Sequence, residues 1–167
     1  MASLPRTQAT FIVAGEVCVV AEPATLVTVL GSCVAVCLWS AERRIGGINH
    51  YLVPRSRPSD HNYLGGDRAI QSLIEQMLGQ LRRTSSVRAH PRMLIAKVFG
   101  GAHSGQYGWN GGAENILTAW SALRKAGIPI VAADVGGADS RRISFNVATG
   151  QVQVQRRSAA APREEPK

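Results

Sequence analysis

The segment CVAVCLW (33–39) constrains the fold most, because all seven of its residues are apolar. A strand with one face in water alternates apolar and polar residues, so an uninterrupted run indicates a strand that is covered on both faces. The turn SAERR (40–44) follows, and IGGINHYLVP (45–54) returns as a second strand that ends at Pro54. The two segments together predict a buried antiparallel hairpin.

Two other segments have the helical period. One apolar stripe runs through Ile70, Leu73, Ile74, Met77, Leu78 and Leu81, with Asp67 as the expected N-cap. A second helix is predicted from about Glu114 to Ala126, with Ile116, Trp120 and Leu123 facing inward. The segments 93–99 and 128–134 read as buried strands, and 143–155 reads as a closing hairpin. We predict one α/β domain of five to eight strands, with mixed β-sheets and flanking helices.

The length of 167 residues suits a single domain, which we place at residues 10–157. Residues 1–9 are expected to be flexible, and the polar segment 158–167 is expected to be disordered. There is no signal-peptide pattern, and no apolar run approaches the ~20 residues that cross a bilayer. Three cysteines without a disulfide-like spacing indicate a reducing compartment. We expect a cytoplasmic protein without membrane insertion.

The formal net charge is +8, and sixteen of the nineteen basic residues are arginine. Such a charge favours a negatively charged partner, either nucleic acid or an acidic protein surface. The arginines, however, are scattered in pairs with no basic stripe and no interleaved aromatic residues. An arginine-rich solvated surface explains this pattern as well, and we expect no nucleic-acid partner.

Metal and phosphate chemistry are not indicated. The cysteines and histidines show neither CxxC nor HxxxH spacing, so no metal site is expected. The glycine-rich segment 100–112 lacks the GxGxxG pattern and a following Lys-Ser/Thr. Asp134 at the end of a strand is expected to cap a turn or to pair with Arg141. We predict no cofactor.

Cys33 is the candidate nucleophile, because it follows Gly31-Ser32 at the start of a strand. A free thiol is only a few per cent ionised at neutral pH, so a nucleophilic cysteine needs an imidazole to take its proton. Cys18 and Cys37 are embedded in apolar runs, where a thiol behaves as a small hydrophobic side chain. A buried structural thiol is also the more frequent fate of a cysteine, and that alternative stays open for Cys33.

His50 is the candidate partner of this thiol, since it lies between apolar residues in INHYL, whereas His61 and His90 lie in polar segments. A hairpin turn near Glu42 places residue 33 opposite about residue 50, with side chains ~5 Å apart. We therefore expect a thiolate–imidazolium pair, with Cys33 alkylated below about pH 8.

Backbone amides near the thiol are candidates for holding an oxyanion. The N–H of Cys33 at the strand start is one, and those of Gly100 and Gly101 are others. Ser32, Gly100 and Gly101 form the predicted substrate-binding set. Thr28, Ser32 and Asn49 are polar groups near the hairpin, and each also has the alternative of satisfying backbone groups only.

Six ordered strings, TVLGSCVAVCLW, GGINHYLVP, AKVFGGA, GGAENI, DVGGADSRR and FNVATGQVQV, resemble the chemoreceptor glutamine deamidase family, CheD, over about residues 12 to 155. The resemblance implies a cysteine-dependent protein-glutamine glutaminase that acts on methyl-accepting chemotaxis receptors. It places the nucleophile on Cys33, the histidine on His50 and a third catalytic residue on Thr28. It also implies a layered α/β fold similar to cysteine-dependent deamidase toxins.

Other functions remain compatible with the sequence. One is a non-catalytic chemotaxis adaptor that binds the receptor or a CheC-type phosphatase. Another is removal of methyl esters from receptor glutamates by the same thiol. A third, from a different class, is nucleic-acid binding, for which a steep salt dependence would be the signature.

Overall fold

The computed structural model describes residues 9–84, 86, 88–103 and 110–158. The expected flexible N-terminus and disordered tail lie outside these residues, except that Ala9 begins the first strand and residue 158 follows the last. The domain boundaries at 10 and 157 therefore stay predictions.

The described residues form nine strands and two α-helices, with one short 3₁₀ turn at Pro91–Met93. In chain order they are β1 (Ala9–Phe11), β2 (Val17–Val20), β3 (Thr25–Leu30), β4 (Val34–Ser40), β5 (Ile45–Asn49), α1 (Gly66–Thr84), β6 (Ile95–Gly100), α2 (Gly111–Ala126), β7 (Ile130–Val135), β8 (Ser140–Asn146) and β9 (Val152–Arg157). The nine strands of the described residues exceed the predicted five to eight by one.

The strands form two sheets, with orders β1-β3-β8-β9 and β2-β5-β4-β6-β7. The pairs β1–β3 and β6–β7 are parallel, and the other neighbouring strands are antiparallel. The predicted α/β domain with mixed sheets is therefore confirmed, as are the hairpins β4–β5 and β8–β9. The likeness to deamidase toxins stays a prediction.

The central strand β4 lies between two layers. Val34, Val36 and Leu38 pack with the two helices in one core cluster. Ala35 and Cys37 pack on the opposite face, in a second cluster that the four-stranded sheet shares. The apolar run predicted to be covered on both faces is thus covered by helices on one face and by a second sheet on the other.

Strand β5 fits between the same layers because residues 46 and 47 are glycines. A Cβ on Gly46 would lie 2.9 Å from the ring of Phe145, in the cluster between the sheets. A Cβ on Gly47 would lie 2.8 Å from Cδ1 of Leu73, in the cluster on the helix side. Both layers can therefore approach the strand that leads to His50.

Helix α1 confirms the predicted stripe, since Ile70, Leu73, Met77 and Leu81 are fully buried. The predicted N-cap is wrong. Asp67 lies inside the first turn, and its Oδ1 accepts hydrogen bonds from the N–H and the hydroxyl of Ser56, both at 2.8 Å. Among the described residues, no helix has both the length and the apolar character needed to cross a membrane.

Helix α2 confirms the predicted inward position of Leu123 but not that of Trp120. Trp120, expected to face inward, is 37% exposed, and Ile116 is only partly buried. The fully buried positions are Asn115, Ala119 and Leu123. The buried face of α2 thus includes the polar residue Asn115, and a search for apolar residues at helical spacing does not detect such a position.

Candidate active site

Thr28 and His50 meet in the space between the two sheets. Thr28 lies on β3 and is fully buried, and His50 directly follows β5 with 6% of its surface exposed. The Oγ1 atom of Thr28 lies 2.9 Å from Nδ1 of His50. The same hydroxyl donates a hydrogen bond to the carbonyl of Ile12 at 2.7 Å. The structure thus brings together two of the three candidate catalytic residues.

Cys33 lies on the same face of the five-stranded sheet as His50. Its half-buried side chain packs against the cluster between the sheets. Val34 and Tyr51 exchange both backbone hydrogen bonds, at 3.1 and 3.0 Å, and this register sets Cys33 opposite Leu52. The predicted register is wrong by two residues. Because side chains alternate with a period of two, His50 stays on the face of Cys33, at the diagonal position.

The Nε2 atom of His50 is buried and has no hydrogen-bond partner within the described part of the chain. The sulfur of Cys33 is therefore not hydrogen-bonded to it in this state. Hydrogen bonds between catalytic groups are often long before substrate binds and shorten in the complex. A buried ring nitrogen without a partner is costly, and such atoms call for a functional explanation.

Burial dominates the protonation of this pair. It raises the pKa of the Cys33 thiol, against opposing hydrogen bonds from the backbone of Cys33 itself and of Gly31. It lowers the pKa of His50, against the carbonyl of Ile12 and the charge of Glu16. Both directions favour the uncharged forms at neutral pH. Burial therefore opposes the expected thiolate–imidazolium pair at rest.

The other two cysteines lie within strands, Cys18 on β2 and Cys37 on β4. Cys37 is 1% exposed in the core, and burial raises its pKa strongly, with Lys97 acting in the opposite direction. Cys18 is half-buried on β2, and burial and the charge of Glu16 raise its pKa. All three cysteines are free thiols. Cys37 is a core residue, as predicted.

The turn at residues 31–33, which precedes β4, is held by hydrogen bonds to its carbonyl groups. The carbonyls of residues 31, 32 and 33 accept hydrogen bonds, respectively, from the Ala102 N–H (2.8 Å), the Asn115 side chain (3.0 Å) and the Gly101 N–H (2.8 Å). The Gly101 N–H is therefore engaged with the carbonyl of Cys33, and its role as an oxyanion donor stays a prediction. Ser32 is exposed and contributes its carbonyl to this set.

Gly100 has a packing function beside the nucleophile. Its φ is 106°, and a Cβ at this position would clash with the carbonyl oxygen of Cys33. The carbonyl of Gly100 accepts the Gly136 N–H at 2.9 Å. Glycine here lets β6 pass close to Cys33, and the predicted role in substrate binding has no support from these contacts.

The expected pairing of Asp134 with Arg141 is confirmed. The Nε atom of Arg141 lies 2.9 Å from Oδ1 of Asp134, and the arginine is 2% exposed. Its guanidinium also donates to the carbonyl of Gly136 at 2.6 Å. The pair fixes the turn after β7, which contacts Gly100, so its role is structural.

Two contributors to the site escape sequence reasoning. The carbonyl of Ile12 holds the hydroxyl of Thr28, and a backbone group leaves no trace in side-chain patterns. The side chain of Asn115 is buried on α2 and reaches the carbonyl of Ser32. Its only signal in the sequence is an amide at a helical position that the structure shows to face the core.

Two depressions adjoin residues that are bonded to this site. One of about 500 Å³ is lined by Phe11, Ile12, Glu16, His61 and Tyr63, among others. The other, of about 200 Å³, is lined by Gly101, His103 and Ile116, among others. The larger grooves run along α2 and contain none of the candidate residues. Among the described residues, no group of three or more His, Cys, Asp or Glu side chains could hold a metal ion.

Comparison with known proteins assigns this chain to a class of proteins of chemotactic sensory transduction. The family profile described as "CheD chemotactic sensory transduction" matches residues 53–156. The chain is 40% identical over 145 residues to "Probable chemoreceptor glutamine deamidase CheD 1" of Anaeromyxobacter dehalogenans, covering 85% of this chain and 81% of that one. It is 37% identical over 152 residues to "Probable chemoreceptor glutamine deamidase CheD" of Sulfurimonas denitrificans, covering 87% and 92%. The chain belongs to the CheD family.

One solved structure shows a weaker likeness. The crystal structure of Bacillus licheniformis hypothetical protein YfiH aligns with a TM-score of 0.44 at 15% identity, covering 74% of this chain and 50% of that one. A likeness at this level carries no argument about function.

Proposed function

We propose that this chain hydrolyses glutamine side chains of chemoreceptors to glutamate, with Cys33 as nucleophile, His50 as general base and Thr28 as the residue that orients the imidazole. Its relatives are named chemoreceptor glutamine deamidases. The observation that carries the proposal is the 2.9 Å contact of Thr28 with His50, which leaves the other ring nitrogen unpartnered on the face of Cys33.

The hydrogen bonds of Thr28 assign the tautomer of His50. A threonine hydroxyl has one hydrogen, and here it goes to the carbonyl of Ile12. Its oxygen can then only accept from Nδ1, so Nδ1 carries the proton of the neutral ring. The Nε2 atom keeps its lone pair and is the base.

The reaction divides into two steps. In the first, Nε2 of His50 takes the thiol proton while the sulfur of Cys33 attacks the amide carbon of the glutamine. The imidazolium then returns the proton to the amide nitrogen, ammonia leaves, and a thioester remains. In the second, His50 deprotonates a water that attacks the thioester carbon. Glutamate and the free thiol result, and the proton passes from the ring to the sulfur.

The oxyanion of each tetrahedral intermediate needs donors near the sulfur. Burial raises the pKa of the Cys33 thiol, and hydrogen bonds from the backbone of Cys33 and Gly31 oppose that rise, so donors lie next to the nucleophile. We assign the oxyanion to the Cys33 N–H. Ser32 and Gly100, proposed from the sequence as substrate-binding residues, would act by shaping this turn.

The proposal predicts a retained activity in mild acid. The base must be neutral, and burial lowers the pKa of His50 below its usual value of about 6.5. Activity is then present above that lowered pKa and is lost as the pH falls through it. The pH profile of kcat/KM for ammonia release should therefore show an acid limb with its midpoint below about 6.5. A midpoint above the usual value would contradict this neutral-base mechanism.

Replacing Thr28 tests the orienting role. Thr28→Val keeps the shape of the side chain but removes the hydroxyl, leaving Nδ1 of His50 and the carbonyl of Ile12 without it. We expect kcat/KM to fall by about 10- to 100-fold, because the ring loses its orientation. Thr28→Ser is the matched control, since it keeps the hydroxyl and should retain most of the activity. Equal activity of the two variants would exclude an orienting role for the hydroxyl.

The same thiol suits one other reaction, removal of methyl esters from receptor glutamates, and a non-catalytic adaptor is the second alternative. One experiment separates the three. Incubation with a receptor cytoplasmic fragment, followed by mass spectrometry of its peptides, distinguishes conversion of glutamine to glutamate from loss of methyl groups. Binding of the fragment with neither change would favour a non-catalytic adaptor.

We also propose a CheC-type phosphatase as a second partner and the cytoplasm as the location, the latter supported by three free thiols.

Exposed apolar side chains in the segments that carry the site are a candidate surface for the receptor. Phe11 and Val13 lie beside Ile12, and Tyr63 lies in the depression that includes Glu16. Leu52 is exposed opposite Cys33. A receptor helix docked on these side chains would present a glutamine to the thiol. The arginine-rich surface would add attraction to acidic receptor helices.

A further inference from the structure

Asn115 joins the two strand ends that carry the thiol and the imidazole. It lies on α2 and is fully buried. Its Nδ2 donates to the carbonyl of Ser32 at 3.0 Å and to the carbonyl of Leu52 at 2.8 Å. Ser32 directly precedes Cys33, and Leu52 follows His50 by two residues. One side-chain amide therefore ties both segments to the same helix.

The backbone of Asn115 reinforces this tie. Its carbonyl accepts a hydrogen bond from the hydroxyl of Tyr51 at 2.6 Å. Tyr51 is fully buried and pairs with Val34 through two backbone hydrogen bonds. The helix is thus also bonded to Tyr51, one partner of the pairing between the two segments.

The remaining polar atom of this side chain indicates what the amide is for. Its Oδ1 is buried and has no partner among the described residues. A buried acceptor without a hydrogen bond opposes folding, so the side chain is not an optimised structural anchor. Both of its hydrogens, by contrast, are used on carbonyls at the site. The position is best explained by the two donors.

Holding the carbonyl of Ser32 also sets the direction of the next amide. A trans peptide is planar, and its C=O and N–H point in opposite directions. When the Ser32 carbonyl points to Asn115, the Cys33 N–H points away from α2. That amide belongs to the backbone whose hydrogen bond favours the thiolate of Cys33.

We propose that Asn115 is a positioning residue, which sets the Cys33 peptide and the spacing of Cys33 from His50 for the deamidation reaction. The inference rests on the proposed function for its kinetic consequence. Its structural part, the orientation of the Cys33 peptide, is measurable without any substrate.

The test uses Asn115→Ala, which removes the amide from a helix that tolerates alanine, and Asn115→Asp, which keeps the shape but removes both donors. We expect kcat for ammonia release from a receptor fragment to fall by about 10- to 100-fold with little change in KM. Leu123→Ala is the matched control, since Leu123 is equally buried on the same helix. It should lower the thermal midpoint and leave kcat per folded molecule unchanged.

Alkylation of Cys33 by iodoacetamide is the second measurement, followed on the Cys33 peptide by mass spectrometry as a function of pH. Its midpoint should move upward in Asn115→Ala and stay in place in Leu123→Ala. If Asn115→Ala keeps the wild-type kcat and alkylation midpoint, or only matches Leu123→Ala, the inference is overturned. Absence of ammonia release from the wild type would overturn the proposed function instead, and the alkylation midpoints would still decide the role of Asn115.

Discussion

Cys33→Ala is expected to abolish the release of ammonia from a receptor fragment, with a loss of at least ~10³-fold in kcat. Cys33 is the thiol that forms the thioester in the proposed mechanism, and Cys37 is sealed in the core. The side chain of Cys33 is only half-buried, so the change in the free energy of unfolding should stay within about 1 kcal/mol. Glutamate formation is read directly on receptor peptides by mass spectrometry.

Cys18→Ala is the matched control, because it removes another free and half-buried thiol of the five-stranded sheet. It should keep the wild-type rate. Undiminished ammonia release by Cys33→Ala would end the cysteine mechanism, and a Cys18→Ala variant as inactive as Cys33→Ala would mean that the loss reflects packing.

The sequence predicts those elements whose apolar pattern is determined by the layers packed directly against them. The run at 33–39 has apolar side chains on both faces because β4 has a layer on each. The stripe of α1 was equally readable, since one face packs on the sheet. The division of nine strands into two sheets was not readable, because it depends on pairings such as β3 with β8 across more than a hundred residues. Local periodicity contains no information about such partners.

The site was predictable in its residue types but not in its register. Ser40 pairs with Ile45, so the turn has four residues and is centred after Glu42. Turn composition does not define that centre to within one residue, and each residue of error shifts the pairing by two. The pairing is also irregular at Asn49. Its side-chain Oδ1, and not its backbone, accepts the hydrogen bond from the N–H of Val36 at 2.8 Å. His50 lies on the predicted face of the sheet only because the error in the register is two residues, which leaves the alternation of side chains unchanged.

His50→Asn is expected to lower kcat/KM by about 10²- to 10⁴-fold, which is the usual range for a lost general base. Asparagine retains a short side chain with a donor that can still face Thr28, so the buried hydroxyl keeps a partner. What disappears is the nitrogen that accepts the thiol proton. The residual rate should then follow the thiolate of Cys33 and rise with pH up to and beyond the usual thiol pKa, because burial raises the pKa of that thiol.

The acid limb of the pH profile distinguishes this loss from simple damage to the fold. If His50 is the base, the limb vanishes in His50→Asn, since no group that titrates there is left in the reaction. His90→Asn is the matched control: His90 is exposed and precedes the 3₁₀ turn at Pro91–Met93, and its replacement should leave both the rate and the limb unchanged. A limb that persists in His50→Asn would assign it to another group. The proton acceptor would then have to be sought elsewhere, because a base that can be removed without altering the pH dependence is not the base that the thiol uses.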